Sequence, residues 1–369
     1  MNNRQDTATT NGTLVLFCPT KGWGGIEKNV RLRAEYFGKQ GHQVYVVLLQ
    51  NQFRERFDGL ENVHIKNVNT RGGDLNLMVI MRYVRFLKQV KPHTVFSPLK
   101  RDWWLVTVSA YLSGVPNTVL YLGNRRKVRK GLKYHTVFNT LKAKMIVNCQ
   151  ALKRHLTTTT NYFNDSNLFQ IYTGIPLPEL HGEKMHFRGL LGLEKDAFVI
   201  GVVGWINYRK GFDQLPDIAR ELPDNYHFVH AGTGGFDLDA DQLMKDNDDV
   251  SHRIHWLGHQ SNMDAFFRGI DVFLLCSRSE SLANVLNETM GHGKPIVSTR
   301  APGSDELLGD GEYGILTPVE DVTAMAKGIL DIATGKVVFD PKKQRKRMKD
   351  HFSLDQMMQG YASVFFPES

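Results

Sequence analysis

The stretch SRSESLANVLNETMGHGKPIVST at 277–299 constrains this chain more than any other, because it ties two glutamates, Glu280 and Glu288, to a strand–helix–strand unit. Just upstream, DVFLLC at 271–276 is a continuous apolar run of the length expected for a strand buried on both faces of a parallel sheet. Ser281 stands at an N-cap position, and Leu282, Val285, Leu286, Thr289 and Met290 then repeat at helical spacing. Gly291 and Gly293 close the helix before a second apolar strand, PIVST. Strand, helix, strand in that order is the repeating unit of an α/β fold on a parallel sheet.

Eight residues of helix rise about 12 Å, roughly the reach from a sugar ring across a diphosphate to the ribose of a sugar nucleotide. This spacing suits Glu280 to hydroxyls of the sugar and Glu288 to the vicinal ribose hydroxyls. The backbone N–H groups of Ser281, Leu282, Ala283 and Asn284 would face the diphosphate, where a helix start favours an anion. Two glutamates in a helical segment are more often simply solvated, so the surrounding residues must decide.

They do so by resemblance. The run E-x7-E followed by Met290-Gly291-His292-Gly293-Lys294-Pro295-Ile296-Val297 resembles the donor-site signature of the retaining glycosyltransferases of family 4, and similar features extend over residues 13–366. The resemblance implies a GT-B fold: two Rossmann-like doubly wound domains facing across a cleft, with a C-terminal helix returning to the first. It also implies transfer of a sugar from a nucleotide donor with retention at the anomeric carbon.

Other segments extend the match. Lys210-Gly211 fits the family's K-G, whose lysine reaches the diphosphate, and Gly24-Gly25-Ile26-Glu27 fits its G-G-x-E, whose glycines let the first domain approach the donor. Gly303 and Glu306 fit its G-x-x-E. The family arginine two residues after the strand is replaced by Trp205, leaving Arg209 as its substitute. The family histidine expected near Gly123 and Asn124 is absent, and Asn124, Arg125 or Arg126 is expected to contact the donor sugar or an anionic acceptor. Lys210, Glu280 and Arg209 are thus the expected catalytic groups, with Gly24, Gly25, Ser281, Leu282, Ala283, Asn284 and Glu288 on the donor. No metal or other cofactor is expected. Asp237, Asp239 and Asp241 alternate in a D-x-D pattern, but in an acid-rich polar segment that reads as a solvated loop.

A chain of 369 residues exceeds one average core. The prolines of IYTGIPLPEL at 171–180 suit a linker, which divides the chain into 1–176, 177–350 and a returning segment 351–369. Ser353 and Gln356 form a capping box ahead of that final helix. No stretch reaches the roughly 18 apolar residues of a membrane span. The polar N-terminus and three dispersed cysteines point to the cytoplasm.

The net charge of +8 conceals an asymmetry: residues 82–163 hold sixteen Lys or Arg against one acid, Asp102. With Trp103, Trp104, Tyr111 and Tyr121 among these cations, the basic half is expected to lie on the inner face of the cytoplasmic membrane, against anionic lipid and a lipid-linked acceptor. No recognition motif accompanies the charge, so nucleic acid is not expected. The expected activity is hexosyl or N-acetylhexosaminyl transfer from a UDP-linked donor to a glycan or lipid-linked acceptor, as in lipopolysaccharide synthesis. A catalytically silent membrane scaffold, or a sugar-nucleotide hydrolase or epimerase of the same fold, is the alternative.

Overall fold

The structure, a computed structural model, describes residues 12–19, 22–49, 51–68, 76–124, 128, 130–235 and 237–367, without the side chains of residues 51 and 52. The chain divides into two units. The first comprises Met1–Asn148, Leu152–Ile171 and Met358–Ser369, the second Cys149–Ala151 and Tyr172–Met357.

The first unit is built on seven parallel strands in the order β3-β2-β1-β4-β5-β6-β7. They are β1 (Thr13–Cys18), β2 (Gln43–Leu48), β3 (Val63–Asn67), β4 (Thr94–Ser97), β5 (Asn117–Leu122), β6 (Lys144–Val147) and β7 (Leu168–Gln170). The central strands β1, β4 and β5 are buried along nearly their whole length, as expected where helices cover both faces. Helix α1 (Gly25–Lys39) follows β1, and its capping glycine, Gly24, donates its N–H to Glu27 Oε2 at 2.8 Å. The glutamate of the G-G-I-E run is therefore a buried cap that fixes the glycine turn. Helices α2 (Leu77–Val90) and α3 (Trp103–Leu112) pack together on Val15, Phe17 and Val95.

Trp103 is fully buried, edge-on to Phe138 at 6.0 Å, and so cannot belong to a membrane-facing aromatic belt. An indole of that area stabilises a core more than it can a wet surface. Of the four aromatics expected at a membrane, Tyr111 alone ranks among the exposed large apolar residues.

The second unit carries six parallel strands in the order β10-β9-β8-β11-β12-β13. These are β8 (Phe198–Val203), β9 (Tyr226–Ala231), β10 (Ile254–Trp256), β11 (Val272–Leu275), β12 (Ile296–Thr299) and β13 (Ile315–Thr317). All four residues of β11 are buried, each such side chain stabilising the sheet by roughly 1.5–3 kcal/mol. Strand order reverses between β8 and β11, which pair through Val272 with Ile200 and Phe273 with Gly201. In open parallel sheets, ligands bind beyond the carboxyl ends of the strands at such a reversal.

The chain passes between units at 171/172 and again at 357/358, where the sequence suggested 176 and 350. The basic helix Pro341–Phe352 stays with the second unit because Met348 and Phe352 are buried there and Arg345 Nη1 donates to Gly291 O at 2.6 Å. The helix Leu354–Phe365 begins with Gln356 N donating to Ser353 Oγ at 3.3 Å, and its last turns belong to the first unit. There Asn117 Nδ2 donates to Val364 O at 2.8 Å, and the Arg33 guanidinium lies 4.0 Å over the Tyr361 ring.

Candidate functional site

The loops leaving β8 and β11 meet at the strand reversal of the second unit, and side chains from both converge. After β8 the chain makes a 3-10 turn, Tyr208–Lys210, capped by Asn207, whose Oδ1 accepts from Lys210 N at 2.9 Å. Gly211 ends the turn at φ +77°, where a Cβ would stand 2.1 Å from Cys276 O. Only glycine lets the turn press this closely on the end of β11. After β11, Ser277 is held by Thr299 Oγ1, which donates to its carbonyl at 2.6 Å. Ser277 Oγ then donates to Glu280 Oε1 at 3.0 Å.

The result is a compact charged cluster. Lys210 Nζ lies 2.7 Å from Glu280 Oε1, and Arg209 Nη1 lies 3.4 Å from the same oxygen. Arg209 Nη1 also donates to Ser279 O at 2.9 Å. Lys210 and Glu280 are largely shielded, at 15% and 11% side-chain exposure, while Arg209 is half-exposed. Two cations against one carboxylate leave a formal positive charge in a partly desolvated place, where charge interactions are stronger than in water. Lys210, Arg209 and Glu280, the three residues expected to be catalytic, thus stand together in the structure.

The helix after Glu280 starts later than the sequence suggested. It spans Asn284–Gly291 with Ala283 as the N-cap, so Ser281, Leu282 and Ala283 lie before it and Ser281 does not cap it. The reason is tertiary. Gly303, at φ +89°, packs so tightly against this segment that a Cβ there would stand 1.8 Å from Ser281 O, and Leu282 and Ala283 are buried. The packing holds 281–283 out of the helical register, so the path from Glu280 to Glu288 does not run along a single helix and the 12 Å rise fails. No side chain caps the helix, and its first amide is that of Asn284. Glu288, half-buried, sits one turn further along on the same face as Asn284.

Several remaining residues are settled in the same way. Glu306 accepts from Gln150 N at 2.7 Å and Ala151 N at 2.6 Å, both residues of the second unit, so its carboxylate serves a structural end. Asp239 caps the helix Ala240–Asp246 by accepting from Asp241 N and Gln242 N, a structural use for the alternating aspartates. Among the described residues no cluster of three His, Cys, Asp or Glu side chains is arranged to hold a metal ion. Trp205, in the place of the expected arginine, is 59% exposed. His230 is buried beneath the same loop, its Nε2–H donating to Gly204 O at 2.9 Å, and burial pushes its imidazole down to about 4.

Gly24 and Gly25, which cap and begin α1, lie in the first unit. Asn124 is exposed after β5, and Arg125 and Arg126 lie outside the described residues. The sequence reading overlooked Arg278 and Asp213, which pair at 2.6 Å beside the cluster. Their only sequence signal is proximity, two residues from Glu280 and three from Lys210.

Residues 197–334, most of the second unit, match the family of glycosyl transferases group 1. Over 147 residues the chain is 34% identical to the lipopolysaccharide core biosynthesis glycosyltransferase LpsE of Rhizobium meliloti, covering 39% of this chain and 42% of that one. It is 21% identical to the capsular polysaccharide biosynthesis glycosyltransferase CapM of Staphylococcus aureus, over 91% of this chain and 93% of the other. The chain therefore spans about two fifths of the length of the first relative and nearly all of the second. The crystal structure of Anabaena HepE in complex with UDP superposes with a TM-score of 0.79 at 18% identity, covering 96% of this chain and 99% of that one. The chain thus has the GT-B fold, and its residues 197–334 match the glycosyl transferases group 1 family, while the bacterial surface-polysaccharide glycosyltransferases it resembles share parts of its sequence.

Proposed function

We propose that this chain transfers a hexosyl or N-acetylhexosaminyl group from a UDP-linked donor, with retention, to a hydroxyl of a glycan or lipid-linked acceptor in bacterial surface-polysaccharide synthesis. The observation that carries the reading is the convergence of Lys210, Arg209 and Glu280 at the strand reversal of the glycosyl transferases group 1 domain. UDP bound to HepE, a protein of the same fold, supports the choice of nucleotide.

In this mechanism Lys210 and Arg209 neutralise the charge that develops on the leaving diphosphate, assisted by the uncapped amides at Asn284. Charge placed in advance of the reaction is usually the largest catalytic term, and here it stands in for a metal ion. Glu280 orients Lys210 and takes hydroxyls of the transferred sugar, and Glu288 takes the ribose. The acceptor hydroxyl attacks the anomeric carbon from the face the diphosphate leaves. The C–O bond to the diphosphate breaks as the new glycosidic bond forms, and a phosphate oxygen receives the hydroxyl proton.

The same reading places the first unit on an anionic membrane surface. Its support is α2, where Leu77, Met78 and Met81 are 71%, 67% and 71% exposed. Beside them Lys66, Arg82 and Arg85 line a cavity of about 370 Å³. No helix among the described residues is long and apolar enough to cross a bilayer.

Thermal unfolding against a panel of sugar nucleotides, with and without a divalent metal, tests the function. A donor at 100 times its Kd stabilises the fold by about 2.7 kcal/mol. A shift with a UDP-sugar that persists in chelator, followed by transfer to an acceptor, is the expected result. Turnover without acceptor would indicate a hydrolase or epimerase, and no shift with any donor would indicate a silent scaffold.

A further inference from the structure

Arg278 holds the lysine-bearing turn through both its backbone and its side chain. Its backbone N–H donates to Arg209 O at 2.9 Å. Its guanidinium donates to Tyr208 O at 2.6 Å and forms a two-pronged pair with Asp213, Nη1 to Oδ1 at 2.6 Å and Nη2 to Oδ2 at 2.7 Å. Nε donates to Glu320 Oε1 at 2.6 Å, and the guanidinium plane lies 3.7 Å over the Tyr208 ring. Glu320 itself lies at φ +65°, in the turn before the helix Val322–Ala333.

Together these bonds tie Tyr208, Arg209 and Asp213, on both sides of Lys210, to the strand end that carries Glu280. The planar, five-donor guanidinium suits this task in a way that an ammonium does not. Four of the five N–H donors of the Arg278 guanidinium are thereby committed within the protein, two to Asp213, one to Tyr208 O and one to Glu320.

We propose that Arg278 is the positioning residue of the donor site: clamped to Asp213, it fixes the Tyr208–Lys210 turn so that Lys210 and Arg209 stay aimed at one point. This rests on the sugar-nucleotide reading and extends it. With Trp205 in the place of an expected cation, diphosphate binding falls to side chains on a single short turn. Rigidity of that turn then decides affinity.

The test is UDP binding measured by calorimetry on the full chain, for the native protein, Arg278→Ala, Arg278→Lys, Lys210→Ala and the double variant Arg278→Ala with Lys210→Ala. All are measured well below their unfolding temperatures. Arg278→Ala and Lys210→Ala should each weaken UDP about tenfold, and Arg278→Lys by an intermediate factor. The double variant should fall well short of the product of the two single effects, because once Lys210 is gone Arg278 has only Arg209 left to position. Asp213→Asn should reproduce the effect of Arg278→Ala and serves as the second variant if the latter does not fold. Unchanged UDP affinity in Arg278→Ala or Asp213→Asn, or effects that multiply in the double variant, would overturn the positioning role while leaving the function intact. Failure of the native protein to bind UDP, GDP or ADP would overturn the sugar-nucleotide reading and this role with it.

Discussion

Lys210 Nζ and Glu280 Oε1 stand 2.7 Å apart, although 70 residues separate them and they leave different strands. The pair joins the loop after β8 to the loop after β11 where the strand order reverses. Removing Lys210 takes away the more shielded of the two cations and leaves Glu280 with Arg209 alone. Lys210→Ala should therefore lower kcat by about 100-fold, in line with loss of one preorganised charge at a leaving group. Steady-state kinetics with a saturating donor decide it, and a defect confined to acceptor KM would contradict the assignment.

Glu288 is expected to act on binding rather than on chemistry. Glu288→Ala should raise the donor KM by about tenfold with a smaller change in kcat, since ribose hydroxyl bonds form equally in the ground and transition states. Equal donor KM values in the variant and the native chain would remove the ribose role.

Gly303 holds the segment before the helix Asn284–Gly291. Gly303→Ala places a Cβ at φ +89° and 1.8 Å from Ser281 O, so the segment must shift. The expected cost is about 1–3 kcal/mol in urea unfolding, together with weaker UDP binding as the helix start moves. Native stability in this variant would show that 281–283 adapts freely.

His230 makes stability depend on pH. Its folded-state value, pushed down to about 4 by burial, lies below the ordinary 6.5, so between these the unfolded chain binds the extra proton. The stabilisation is complete above pH 6.5 and is lost as pH falls towards 4, with about 2 kcal/mol gone by pH 5. Urea unfolding at the two pH values should show this loss in the native chain and a smaller one in His230→Gln, which can still donate to Gly204 O. Identical losses would assign the pH dependence elsewhere, His255 being the first candidate because burial also pushes it to about 4.

The exposed apolar start of α2 predicts membrane contact. Leu77→Gln, Met78→Gln and Met81→Gln together should abolish sedimentation with vesicles containing phosphatidylglycerol. Arg85→Ala should weaken it about fivefold, as expected for one cation near anionic lipid. Binding undiminished by the triple substitution would place the contact on another face.

Much of this architecture was legible in the order of the residues. Apolar runs such as DVFLLC and FVIGVV can be satisfied only by burial between helices, so two parallel-sheet units followed directly from composition and period. The pairing of Lys210 with Glu280 was also within reach, because the motifs at 209–211 and 280–288 each lie just past a strand. What the tertiary structure alone decided depends on contacts between distant segments. Gly303 against Ser281 moved the helix start to Asn284, overriding a serine that reads locally as a cap. Burial against Phe138 took Trp103 out of the surface to which its basic neighbours assigned it. Arg278 is one more surface-type cation in sequence, and only the meeting of Tyr208, Asp213 and Glu320 around it turns it into a clamp. Local propensity is worth tenths of a kcal/mol per residue, whereas a buried contact or an unpaired charge is worth several, so the distant partner prevails wherever the two disagree.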